Sequence, residues 1–145
     1  MRRVTAMFIL ILGLGISGCT HDGPTTPEQL PGVSMIPAQQ EYAPDVTEIP
    51  VVWRNDTDND LIYGEPFYIE KKEGTTWTTV DVGELMFILP AYTISPHSQS
   101  DHTYIVTAYT SMFTSGTYRI AATYSLVLSS GDSTTYIAYA EFRIT

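Results

Sequence analysis

Two alternating runs joined by a short turn constrain this chain more than any other feature. Tyr118, Ile120, Ala122, Tyr124 and Leu126 alternate with Arg119, Ala121, Thr123, Ser125 and Val127. Ser129 to Ser133, centred on Gly131-Asp132, then interrupts the pattern. Thr135 to Ile144 returns with Tyr136, Ala138, Ala140, Phe142 and Ile144 in phase. Successive side chains of a strand point to opposite faces, so a period of two gathers each set on one face. The two runs predict a long β-hairpin with an apolar side.

The middle of the chain reads the same way. Ile49, Val51 and Trp53 alternate with Pro50, Val52 and Arg54, which predicts a strand with the first three in the core. Proline has no N–H, so the Pro50 side of that strand must lie where no donor is needed. Val33 to Pro37 reads as a first edge strand, since Pro37 is tolerated only at an edge or strand end. Asn55 to Asn59 is a turn. Leu61 to Tyr63 begins a strand, Gly64 breaks or bulges it, and Phe67 to Lys72 continues it into a Glu73-Gly74 hairpin and Thr76 to Val80. Leu85 to Leu89 is expected to be a short apolar strand that Pro90 ends, and Ser95-Pro96-His97 a turn. Gln99 to Val106 alternates weakly, with Tyr104 and Val106 on one side. Thr107 to Thr114 shows no clear pattern, and Ser115-Gly116 turns the chain. No stretch beyond the N-terminus carries a helical period with caps. Seven to nine strands with turns at this spacing predict an all-β sandwich.

The N-terminus predicts where the protein resides. Arg2 and Arg3 precede an apolar run from Val4 to Gly15, followed by small residues and the single cysteine. That is the order of a secretory signal. The run is about 12 residues, short of the ~20 a spanning helix needs. Ile16-Ser17-Gly18-Cys19 resembles a bacterial lipobox: an aliphatic residue, two small residues, then cysteine. The resemblance implies cleavage before Cys19, diacylglycerol on its sulfur, and a further chain such as palmitate on its amine. Each buried methylene adds about 0.8 kcal/mol of membrane affinity, and stable anchoring takes two chains. Thr20 stands where an Asp would imply inner-membrane retention in a Gram-negative cell. The expected location is therefore extracytoplasmic, lipid-anchored to the cell membrane or outer membrane, with membrane as the first partner. Residues 1–18 are then signal, 19–31 a lipidated, Pro-rich tether, and 32–145 the domain.

Cleavage also leaves five basic against 16 acidic residues, a net charge of about −11. Such a surface argues against nucleic acid and anionic lipid. With Cys19 acylated, no thiol remains for a disulfide, a zinc site or a nucleophile.

Several landmarks resemble bacterial immunoglobulin-like domains over roughly residues 32 to 145. Tyr42 precedes the first long strand, which ends at Asn55 with Thr57 after it. Leu61, Tyr63 and Gly64 follow, then Tyr68, Glu70, Lys71 and Trp77. Gly116-Thr117-Tyr118-Arg119-Ile120 stands late in the chain, and Phe142 lies in the final strand. The resemblance implies an immunoglobulin-like antiparallel β-sandwich and is almost silent on activity. Gly116, Tyr118 and Arg119 are its structural motif. Tyr118 fits a tyrosine corner, with its hydroxyl bonded to upstream backbone. Ile120 takes the place of the usual second cysteine, facing Trp53 or Val51.

The candidate chemical groups form no complete motif. Asp56, Asp58 and Asp60 are spaced like the first ligands of a calcium loop, but Leu61 and Phe67 stand where Gly and Glu are required. A solvated acidic turn is the simpler reading. His97 and His102 are five apart, off one strand face, with Asp101 beside the second. Glu70, Glu73, Glu84 and Glu141 offer carboxylates without a pattern. Asn55-Asp56-Thr57 is a glycosylation sequon, expected to be idle here. No residue is therefore assigned a catalytic, cofactor-binding or metal-binding role. Tyr63, Tyr68, Trp77, Tyr104, Tyr109, Tyr136 and Tyr139 exceed what so small a core needs, and exposed Tyr and Trp bind sugars or proteins well. Arg119 is expected to pair across strands with a carboxylate such as Glu141. The sequence thus predicts a non-catalytic interaction or structural module with an envelope protein partner. Glycan binding through exposed aromatics is the first alternative, and an envelope enzyme or enzyme inhibitor the second.

Overall fold

The structure is a computed structural model describing residues 29–145. The signal, Cys19 and most of the tether lie outside the described residues. The chain forms β1 (Val33–Pro37), β2 (Glu41–Tyr42), β3 (Glu48–Asn55), β4 (Asp60–Glu73), β5 (Thr76–Thr79), β6 (Ala91–Ile94) and β7 (Ser98–Ile105). A 3-10 helix, Thr107–Met112, precedes β8 (Gly116–Val127) and β9 (Ser133–Ile144). A three-stranded sheet in the order β1-β3-β7 faces a larger sheet in the order β2-β9-β8-β4-β5, with β6 also on β4.

The β8–β9 hairpin is paired from Gly116↔Ile144 to Val127↔Ser133 without interruption. Tyr118, Ile120, Ala122, Tyr124 and Leu126 are buried, as are Ala138, Ala140, Phe142 and Ile144. Ile49, Val51 and Trp53 oppose them from β3, and all are fully buried. The Pro50 carbonyl accepts from the Ala38 amide at 2.8 Å. Its nitrogen points the same way, past the last β1–β3 pair, Pro37↔Val51, where the missing N–H costs nothing.

At the centre, Trp53 stacks on Tyr63 with ring centroids 4.8 Å apart and donates Nε1–H to the Tyr104 hydroxyl at 3.2 Å. Tyr63, Tyr104 and Tyr109 are therefore core residues, not part of a surface surplus. The sandwich has no disulfide, and aromatic pairs of ~0.5–1.5 kcal/mol each strengthen its middle.

Two local expectations change, and one unassigned stretch takes shape. Leu30 packs against the core, and its amide donates to the Tyr124 hydroxyl at 3.1 Å. Packed structure thus begins before residue 32, inside the expected tether. Leu85 to Leu89 is not a strand; the strand, β6, starts after Pro90. The cause is a bulge in β4. Tyr63 pairs with Tyr124, but the next pair is Phe67↔Ala122, so Gly64-Glu65-Pro66 stands opposite Thr123 alone and β4 carries two extra residues. β5 pairs with β4 from Glu70 and β6 only as far as Gly64, so residues 81–90 pass the irregular stretch unpaired. Finally, Thr107–Met112 winds as a 3-10 helix that buries only Tyr109, too little to leave a sequence period.

Candidate interaction surface

The outer face of the large sheet carries a charged and aromatic ladder. The bulge sets the register Glu70↔Arg119↔Glu141 and, one step along, Tyr68↔Ala121↔Tyr139. Both neighbouring strands offer Arg119 a glutamate. The ion pair forms through Arg119 Nε with Glu70, not with the expected Glu141. The guanidinium lies 3.8 Å from the Tyr139 ring centroid and 4.3 Å from that of Trp77. Lys72 Nζ adds a second cation 5.4 Å from Trp77. Ala121, although on this outer face, is fully buried between the side chains beside it. Burial, then the charge of Glu70, holds the Tyr68 phenol above its ordinary pKa. Sugar stacking needs open ring faces, whereas a cation already lies over a face of both Trp77 and Tyr139. This ladder is a lock between strands.

Gly116 and Tyr118 form a second lock. The Tyr118 hydroxyl donates to the Thr114 carbonyl at 2.9 Å and accepts from the Thr114 amide at 3.1 Å. Gly116 allows the return with φ of 155°, and a Cβ there would stand 3.3 Å from Lys71 Cε. The loop between the 3-10 helix and β8 is thereby tied to the start of its own strand.

The polar candidates do not assemble into a centre. Asp56 pairs with Arg54 and Asp58 with His97, the latter at 2.8 Å. Among the described residues no three His, Cys, Asp or Glu side chains could share a metal ion. Asn55 is fully buried. Its Nδ2 reaches the carbonyls of Asn59, Ile94 and Ser95 at 2.8, 3.0 and 3.2 Å, so the sequon asparagine is a tie between loops. Glu70 is held by Arg119, and Glu73 accepts from the Thr78 hydroxyl at 3.2 Å.

His102 stands apart from His97. It shares the inward phase of Tyr104, two residues on, and that phase was the signal for its burial. Its ring lies 4.6 Å from Tyr104 and 5.4 Å from both Tyr63 and Tyr92, centroid to centroid. Nε2 is buried with no hydrogen-bond partner, 3.7 Å from Glu65 Oε2. Burial pushes the imidazole below its ordinary pKa, and Glu65 opposes that shift. Glu65, carried into the gap by the bulge, also accepts from the Tyr92 hydroxyl.

Beside this cluster lies the largest apolar exposure. Leu85 and Phe87 turn inward, with Phe87 against Phe67 at 5.6 Å. Met86, Ile88 and Leu89 are 99%, 80% and 83% exposed. With the half-exposed Ile105 and with Glu65, Met86 and Ile88 border a groove of about 470 Å³. Isolated exposed hydrophobics are ordinary, but a contiguous set of large ones marks a contact surface.

Residues 29–143 match the model of the bacterial Ig-like domain. The chain belongs to the bacterial Ig-like domain family. No curated protein and no solved structure compared with it gave a match. Bacterial Ig-like domains are generally non-catalytic modules. The family match begins at Gln29, in keeping with the docking of Leu30 on the Ig-like core.

Proposed function

We propose that this chain is a lipid-anchored interaction module of the bacterial envelope, with the apolar segment Leu85–Leu89 as its contact surface. The observation that carries the reading is the near-complete exposure of Met86, Ile88 and Leu89 on an otherwise well-packed Ig-like sandwich. Large apolar side chains left in water cost free energy unless a partner covers them. The sequence Ile16-Ser17-Gly18-Cys19 supports the anchor, and Cys19 is its lipidation site. Glycan binding is the weaker reading, because Arg119 already lies over Trp77 and Tyr139 on the outer face.

The test has two arms in a bacterial host. Wild type should gain the mass of diacylglycerol and sediment with membranes, and Cys19→Ala should do neither. Release of unlipidated wild type refutes the anchor. Separately, Met86→Ser/Ile88→Ser should lose envelope partners recovered by crosslinking to the wild type. Equal recovery refutes the contact surface.

A further inference from the structure

The charges around the apolar segment specify its partner, and this step rests on the contact surface proposed above. Of the five Lys and Arg residues described, each is engaged elsewhere. Arg54 pairs with Asp56, Arg119 with Glu70 and Arg143 with Glu41. Lys71 donates to the Thr114 hydroxyl at 2.6 Å, and Lys72 lies over Trp77. None of them lines the groove. One carboxylate lines it, and two more stand just upstream of the apolar segment in the chain. Glu65 lines it, Glu84 immediately precedes Leu85, and Asp81 opens the segment. Asp81 and Glu84 have no cationic partner among the described residues.

The backbone adds a second constraint. Residues 84–89 are in no strand, and their amides find no backbone acceptor among the described residues. Their side chains nevertheless alternate, Leu85 and Phe87 inward, Met86 and Ile88 outward. An extended chain with unpaired backbone groups can accept another extended chain, main chain to main chain. From these observations we infer that the groove takes an extended, cationic, amphipathic polypeptide segment. Its apolar side chains cover Met86, Ile88 and Ile105. Its Lys or Arg side chains meet Asp81, Glu84 and Glu65. Potential complementarity of this kind selects the partner's sign and speeds encounter.

The probe is a synthetic peptide of alternating Lys and Leu, with Glu-Leu and Lys-Ser peptides of equal length as controls. The target is the full-length chain carrying Cys19→Ala, followed by amide chemical shifts and titration calorimetry. The Lys-Leu peptide should shift the amides of 84–89 and Ile105. Met86→Ser/Ile88→Ser should weaken it at least about tenfold, the scale of uncovering one large apolar side chain. Asp81→Asn/Glu84→Gln should also weaken it and flatten its salt dependence. Equal binding of the Glu-Leu peptide overturns the charge argument. Equal binding of the Lys-Ser peptide overturns the apolar one. Shifts caused by phosphatidylcholine vesicles, with no response to the peptide, would make this a lipid-contacting surface and overturn the inference. No response to any probe overturns it as well. Probe binding without loss of envelope partners in Met86→Ser/Ile88→Ser would preserve the groove's chemistry while refuting the proposed contact surface, so the two failures are distinguishable.

Discussion

Replacing Asn55 should cost more stability than any other exchange of one polar side chain in this domain. The amide is fully buried and satisfies both ends of itself. Its Nδ2 serves three carbonyls at 2.8 to 3.2 Å with two hydrogens, and its Oδ1 accepts from the Thr57 amide at 3.1 Å and the Thr57 hydroxyl at 2.7 Å. Asn55→Ala removes about four hydrogen bonds, each worth ~1 kcal/mol net, and strands at least one buried carbonyl. The expected loss is about 4–5 kcal/mol, a large share of the 5–15 kcal/mol that holds a typical domain folded. Asn55→Asp keeps the Oδ1 partners but points a carboxylate oxygen at three carbonyls. Its folded pKa must then lie above the unfolded ~3.9. That variant should approach wild type in acid and lose stability as pH rises through the interval between the two values. Urea unfolding followed by Trp fluorescence measures both effects, since Trp53 is in the core. A loss below ~1 kcal/mol for Asn55→Ala at unchanged m-value would refute the assignment of Asn55 as the tie between these loops.

Two further outcomes are expected. His102 is held below its ordinary pKa of 6.5 by burial, so the unfolded chain binds more protons between the folded value and 6.5. Wild-type stability should fall as pH drops from 7.5 to 5.5, and His102→Gln should flatten that slope; equal slopes would place the sensitivity elsewhere. Arg119→Ala removes two ring contacts and leaves Glu70 unpaired at 13% side-chain exposure, so a loss of about 2–3 kcal/mol is expected in urea unfolding. A change within 0.5 kcal/mol, the ordinary surface range of roughly ±0.5, would show that the ladder adds nothing.

Alternation made the sandwich legible wherever a strand has one wet and one dry face. β3, β8 and β9 are such strands, and Tyr118 was found because its corner sits at the start of one. The pairing partner of Arg119 was not legible. Continuing the register from Tyr63↔Tyr124 without a bulge would put Arg119 opposite Tyr68; the two extra residues within Gly64-Glu65-Pro66 bring Glu70 there instead. The same bulge explains the misreading of Leu85–Leu89. An apolar run signals burial or extension, but only a neighbouring ladder makes it a strand, and the bulge removes that ladder. The aromatic count failed for another reason. Tyr63, Tyr104 and Tyr109 belong to a core that brings rings together from both sheets, and composition alone does not distribute rings between inside and outside.

The pairing of β1 has a mechanical consequence. β1 is the first strand among the described residues and lies antiparallel to β3 over five residue pairs, Val33↔Asn55 to Pro37↔Val51. Under the lipid anchor proposed above, tension arriving from Cys19 along the strand axis would load those bonds side by side, in shear, so that they yield together. The Gln29 and Leu30 bonds would part first, at 2.8 and 3.1 Å, and lengthen the leash by a few residues without opening the sandwich. A partner pulling on the far end would then meet a short elastic give followed by a stiff stop.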